Sequence, residues 1–287
     1  MVVSPGITRG AVILPITVKR KIMFGLFQNK PVIEEEHAQW LLDAYAWALE
    51  NFDAELFYND TVLVLPTNEF FPGRVDSVHG MAGLIFDKVK EYAGVSHWPT
   101  SLADQNSCPV IETPRVQVKG ALRGPEGIVD DQVPDAQRLL IPYNPQQINN
   151  PEGMIATYAH VIAHYLGQMA EEPPPGGAEY WPHVTELLAI YMGFGLMFAN
   201  SAFTFRGGCG SCYNPYAKRD AYLSEFEATY ALAIFAVLKE MPVSQVTRHL
   251  KPHLKGVFKK AVKEVKGREQ ELSRLRAIGK NLKLVNA

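Results

Sequence analysis

Apolar residues recur every three to four positions through VIEEEHAQWLLDAYAWALENF, residues 32–52, placing Trp40, Leu41, Tyr45, Ala48 and Leu49 on one side. That spacing predicts a helix, and the acids at its start sit where the positive end of the helix dipole favours them. TVLVLPT, Thr61 to Thr67, is short, β-branched and closed by proline, and reads as a strand. MAGLIFDKVKEYAG returns to helical spacing and ends at Gly94, a C-cap residue. Between Trp98 and Pro145 the chain is rich in Pro, Gly, Asp and Gln; VQVKGAL and RLLIPY are the strands expected of a small, irregular sheet.

The second half is helical in pattern. Asn150 and Pro151 mark an N-cap and a first-turn proline, opening a helix from about 151 to 170. EEPPPGG is a linker, and WPHVTELLAIYMGFGLMFANSAF then starts at Pro182 and is apolar nearly all round, as in a helix buried at a domain centre. FRGGCGSCYNPY reads as a loop, YLSEFEATYALAIFAVLKEM as a further helix, and a charged helical tail closes the chain. No repeat or low-complexity tract interrupts this order.

With 287 residues and 47% hydrophobic content, the chain can bury a substantial core. Its net charge of −2 points to neither nucleic acid nor acidic lipid, and no membrane span is expected. The distribution is uneven. From Arg248 onward twelve Lys or Arg face three Glu, a surplus of nine, which leaves the first 247 residues at −11. The basic tail is read as a solvated face that docks on the acidic body, or as a patch for an acidic partner; few aromatics interleave with its lysines, against single-strand stacking. Three cysteines, Cys108, Cys209 and Cys212, make no disulfide framework. AVILPITV near the start contains Pro15, runs into Lys19-Arg20-Lys21 and lacks a cleavage site, so a cytoplasmic protein is expected. MFGLFQNK from Met23 reads as a natural start, which makes residues 1–22 an upstream extension.

The chemistry concentrates in AHVIAHYLG, Ala159 to Gly167. Residues four apart on a helix lie one above the other, so His160 and His164 present two imidazoles to a common point. An open tetrahedral zinc site needs a third ligand, often a carboxylate from a separate helix, and Glu186 follows in the next helix after the Pro/Gly turn. His183, one turn earlier on the same face, is a candidate fourth ligand or a partner of the ligands. Two histidines in a buried helix that simply hydrogen-bond to their neighbours would give the same pattern.

Helix, H-x-x-x-H, short connection and a second helix bearing Glu resembles the gluzincin class of zinc metallopeptidases, whose pattern is H-E-x-x-H with a glutamate ligand about one helix further on. Tyr165-Leu166-Gly167 and Thr185-Glu186-Leu187-Leu188 add to the likeness, which covers roughly residues 150–205. It implies His160, His164 and Glu186 as metal ligands, zinc as cofactor and a zincin-like helical half. The departure is Val161, where the class carries the glutamate that moves protons to and from the zinc-bound water. Valine can do neither, and acid–base assistance typically contributes about 10²–10⁴-fold, so the resemblance implies a metal-binding protein impaired or inactive as a peptidase, with no catalytic residue assigned.

Other candidates carry less. GGCGSCY resembles the nucleophile segment of papain-type peptidases, but only 75 residues follow Cys212 and Arg206 replaces the oxyanion-hole glutamine, so Cys209 and Cys212 are read as incidental thiols. Glu171, Glu172 and Glu179 are possible replacement bases in the linker, Tyr222 and Glu225 could approach the histidines, and LPTNEFFPG with Glu69 could line a groove or simply pack. The expected protein is α+β: a loose segment 1–30, an α/β part 31–148, a helical metallopeptidase-like part 149–250 and a basic helical tail 251–287. Its alternatives in function are a noncatalytic scaffold or interaction module without metal, and a metallohydrolase with a relocated base.

Overall fold

The computed structural model describes residues 30–104, 117–130, 132–201 and 222–285. The extension at 1–22, Cys108, Arg206, Cys209 and Cys212 lie outside the described residues. The unit Pro31–Ala287 begins with α1, Glu35–Asn51, which buries Leu41, Tyr45, Ala48 and Leu49 as its spacing predicts, leaves Trp40 half-buried and buries Leu42 as well. A short α2, Ala54–Asn59, is capped by the Asp53 side chain, which accepts the Leu56 N–H. Ser77 caps α3, Val78–Ala93, in the same way at Gly80, and α3 ends on Gly94 at φ 74°, a left-handed conformation that glycine adopts without strain.

The segment expected as a strand at 61–67 is extended at its start but belongs to no sheet. It lies against a helix: the Val64 N–H donates to the Gly193 carbonyl at 2.9 Å. Gly193 sits in a π-turn, Ile190–Phe194, at φ 101°, where a Cβ would come within 2.1 Å of the Val62 carbonyl oxygen. The β-branched run has therefore found a helix bulge in place of a strand partner. Among the described residues strand pairing is confined to two small sheets. β1, Thr100–Asp104, runs parallel to β4, Leu139–Tyr143, from Thr100↔Leu139 to Asp104↔Tyr143. Between them β2, Lys119–Gly120, pairs antiparallel with β3, Gly127–Ile128. Among the described residues helix accounts for 61% and strand for 6%, so the α+β class holds with helix strongly dominant.

The later helices form the centre. Asn150 accepts the Gly153 N–H at the start of α4, Pro151–Gly167. The expected single helix after the linker is two, α5 (Trp181–Ala189) and α6 (Gly195–Ser201), joined through the π-turn. The whole stretch Ala178–Ser201 is long and apolar enough to cross a membrane by composition, and its apolar window is 100% buried inside the protein. A full capping box at Ser224 and Glu227 opens α7, Glu225–Leu238. The tail folds into α8 (Val243–Thr247), α9 (Pro252–Lys266) and α10 (Glu269–Val285). It docks in part on the acidic body: Arg268 grips Glu35 through two nitrogens at 2.8 and 2.6 Å, and Arg274 reaches Asp43 at 2.5 Å, tying α10 to α1.

Arg123 is 2% exposed and hydrogen-bonds no carboxylate among the described residues. Its Nε donates to the Ala93 carbonyl at 3.0 Å and its Nη1 to the Phe52 carbonyl at 3.2 Å, the C-terminal ends of α3 and α1. The guanidinium also lies 5.5 Å above the Tyr191 ring. Two helix dipoles and an aromatic face thus offset its desolvation. Replacing Arg123 with Met leaves these carbonyls short of a donor and lowers stability by about 2–3 kcal/mol in urea denaturation; Lys, without the fork, does not restore it.

His97 is 6% exposed, and burial pushes its pKa below the ordinary 6.5, despite a hydrogen bond to the Ala121 backbone that acts the other way. Below pH 6.5 the unfolded chain takes up a proton that the folded chain resists, so stability falls on acidification in that range and is unaffected by this group above it. His97→Gln flattens the slope of stability against pH just below 6.5, measured by denaturant midpoints; an unchanged slope would exclude His97 as its source.

Candidate functional site

His160 and His164 lie one turn apart on α4, both half-buried. Gly167, at i+7 from His160, continues the same stripe and meets α5: a Cβ there would come within 3.1 Å of Trp181 and 3.3 Å of Leu188. The small residue lets the two helices close. Burial lowers the His164 pKa, favouring the neutral imidazole that a metal requires. His164 Nε2 is 3.0 Å from the Gln168 side-chain nitrogen, within hydrogen-bond distance. Val161 is 2% exposed and packed in the apolar core with Ile162 and Ala163.

On α5, Trp181 and Leu188 are seven apart and form the edge against α4, whereas His183 and Glu186 share another face. Glu186 is 1% exposed, and its Oε2 accepts the Leu223 N–H at 2.9 Å. His183 sits among aromatic rings: Tyr180 at 5.6 Å, Tyr222 at 5.6 Å and Trp40 at 6.1 Å between centroids. The linker is fixed by two indoles of α1, Trp40 Nε1 donating to the Pro175 carbonyl at 2.9 Å and Trp47 Nε1 to the Glu172 carbonyl at 3.1 Å. Glu171, Glu172 and Glu179 point to solvent.

The two helices that carry the candidate ligands are therefore packed together, and the donor types suit zinc. Among the described residues, however, no three His, Cys, Asp or Glu side chains are grouped so as to hold a metal ion. Tyr222 packs on His183, and Glu225 pairs with His253 at 3.1 Å. In LPTNEFFPG, Phe70 and Phe71 pack on Tyr92, whose hydroxyl donates to the Phe70 carbonyl, and Glu69 is exposed.

The aromatic setting of His183 and the Leu223 anchor of Glu186 escaped the sequence reading. Trp40 and Trp47, seven apart on one face of α1, were the available signal for the first; nothing marked the second. No protein-family model, curated protein or solved structure matches this chain.

The Glu186 carboxylate is expected to matter to the fold in its own right. In metal-free buffer Glu186→Leu strips the Leu223 N–H of its acceptor and costs about 1–3 kcal/mol, while Glu186→Gln keeps an acceptor oxygen and costs less, as read from denaturant midpoints.

Proposed function

We propose that this chain is a gluzincin-like protein without peptidase activity, built on a zincin-like helix pair α4–α5. The observation that carries this reading is Val161. The position that needs a carboxylate facing a metal-bound water holds a valine at 2% exposure, packed into the core. Hydrolysis would lack its proton carrier, and the linker acids, which face solvent, offer no replacement.

His160, His164 and Glu186 are the residues that would hold zinc. What supports them is two half-buried imidazoles on one stripe and a buried carboxylate on the helix packed against it. Zinc bound there would supply a positive charge able to polarise a carbonyl or a water. The chain's own part is to favour the neutral His164 imidazole by burial and to hold the Glu186 carboxylate in place through the Leu223 N–H. A second reading is a noncatalytic module of the same architecture without metal, working in the cytoplasm through its surface. It is favoured by the existing bonds at Glu186 and His164 and by the lack of a three-donor group among the described residues.

One preparation separates these readings. Full-length protein dialysed against zinc and then against buffer retains about one equivalent on the first reading, and His160→Ala with His164→Ala removes it. Zinc at background level in the natural chain selects the metal-free module. In either case peptide hydrolysis stays at the uncatalysed rate, and zinc-dependent hydrolysis by the natural chain would contradict the role given to Val161.

A further inference from the structure

The whole-chain charge conceals a one-sided helix. In α9, Lys255, Lys259, Lys263 and Lys266 fall within about 80° of arc at 3.6 residues per turn, over roughly 16 Å of helix, and Pro252 is the one other residue in that arc. Leu254, Phe258, Ala261 and Val265 are buried on the opposite side. Lys259, Lys263 and Lys266 are exposed and Lys255 half-exposed, and none of the four forms an ion pair among the described residues. From Met241 to Lys263 the chain carries six Lys or Arg and no Asp or Glu.

An ordinary solvated face does not look like this, as the next helix illustrates. Just before and on α10, Arg268 and Arg274 are neutralised by Glu35, Asp43 and Glu271. On α9, Lys251 precedes the first turn and Lys255 follows it, with no acid in that turn, so cations stand at the end where the helix dipole disfavours them. Fold stability gives no reason for that placement.

We propose that the lysine face of α9 docks on an anionic lipid bilayer. Lysines are point charges without the fork that arginine uses for bidentate recognition. No aromatic or amide side chain lies in the arc to stack on or read a base. Nor does the arc hold an apolar anchor for a peptide. A cleft of about 640 Å³ between α7, α9 and α10 is lined by Glu240 and Glu269 as well as Lys266 and Arg276 and has no such bias. A straight lysine row with no means of setting register fits headgroups that move laterally to meet it. The −11 carried by the first 247 residues favours approach by this face over the rest of the body.

Flotation of the full chain with phosphatidylcholine vesicles, with and without phosphatidylserine, tests this. Binding is expected with phosphatidylserine at low ionic strength, absent without it, and lost when salt shortens the Debye length to about 3 Å. Each lysine contributes about fivefold, so Lys259→Gln with Lys263→Gln weakens vesicle binding about 25-fold at unchanged Tm. No binding to phosphatidylserine vesicles, or equal binding by the double variant, overturns the proposal. Lysine-dependent binding to duplex DNA or to polyglutamate, with none to vesicles, also overturns it and reassigns the face.

Discussion

A carboxyl group buried to 1% exposure in a core helix has to be satisfied, and Glu186 meets that requirement at the junction of α5 with the start of α7. Its Oε2 accepts the Leu223 N–H, which fixes the entry to α7 beside α5. Directly after it the Ser224–Glu227 capping box starts α7, a helix buried along almost its whole length. One hydrogen bond from the chain just before α7 to a buried carboxyl group of α5 thus links the two helices. The same face of α5 carries His183, enclosed by Trp40, Tyr180 and Tyr222, so the linker, α1 and the start of α7 converge on one polar strip.

A second rule governs the cations. Arg123 is buried without a hydrogen-bonded carboxylate because it closes the C-terminal ends of α1 and α3, and Lys239 does the same for α2, donating to the Phe57 and Tyr58 carbonyls at 2.7 Å each. Both obey the helix dipole. Arg268 and Arg274 obey simple pairing with the acids of α1. Against that background the lysines of α9 stand apart: Lys263 and Lys266 lie in the last turn, where the dipole favours them, but Lys251 and Lys255 flank the first, and none of Lys255, Lys259, Lys263 and Lys266 pairs with an acid among the described residues, which is why the docking proposal rests on this face and not on the tail as a whole.

The sequence made the long helices legible because period and caps agreed. In α1, α3 and α4 an apolar stripe, an N-terminal cap or acid and, for α3, a terminal glycine all pointed the same way. The β1–β4 pair was only half legible, since RLLIPY looked like a strand while its parallel partner across the intervening segment did not. Val62 to Leu65 misled because β-branched residues suit any extended segment, and what they met was the Gly193 π-turn, a feature set by tertiary contact. Arg123 gave no local signal at all. At the candidate site the two imidazoles were readable from a spacing of four. The direction of Glu186 was not, because it depends on how α5 is rotated against Gly167, and Trp181 and Leu188 took that edge.

The proposed zinc site requires His160, His164 and Glu186 to share one ion. The zinc-edge X-ray absorption spectrum of the full chain with one equivalent of zinc tests it most directly. The account predicts a first shell of nitrogen and oxygen at about 2.0–2.2 Å with the outer scattering of two imidazoles, altered by Glu186→Gln. Sulfur at about 2.3 Å, or a shell of water oxygens with no imidazole scattering, would contradict it.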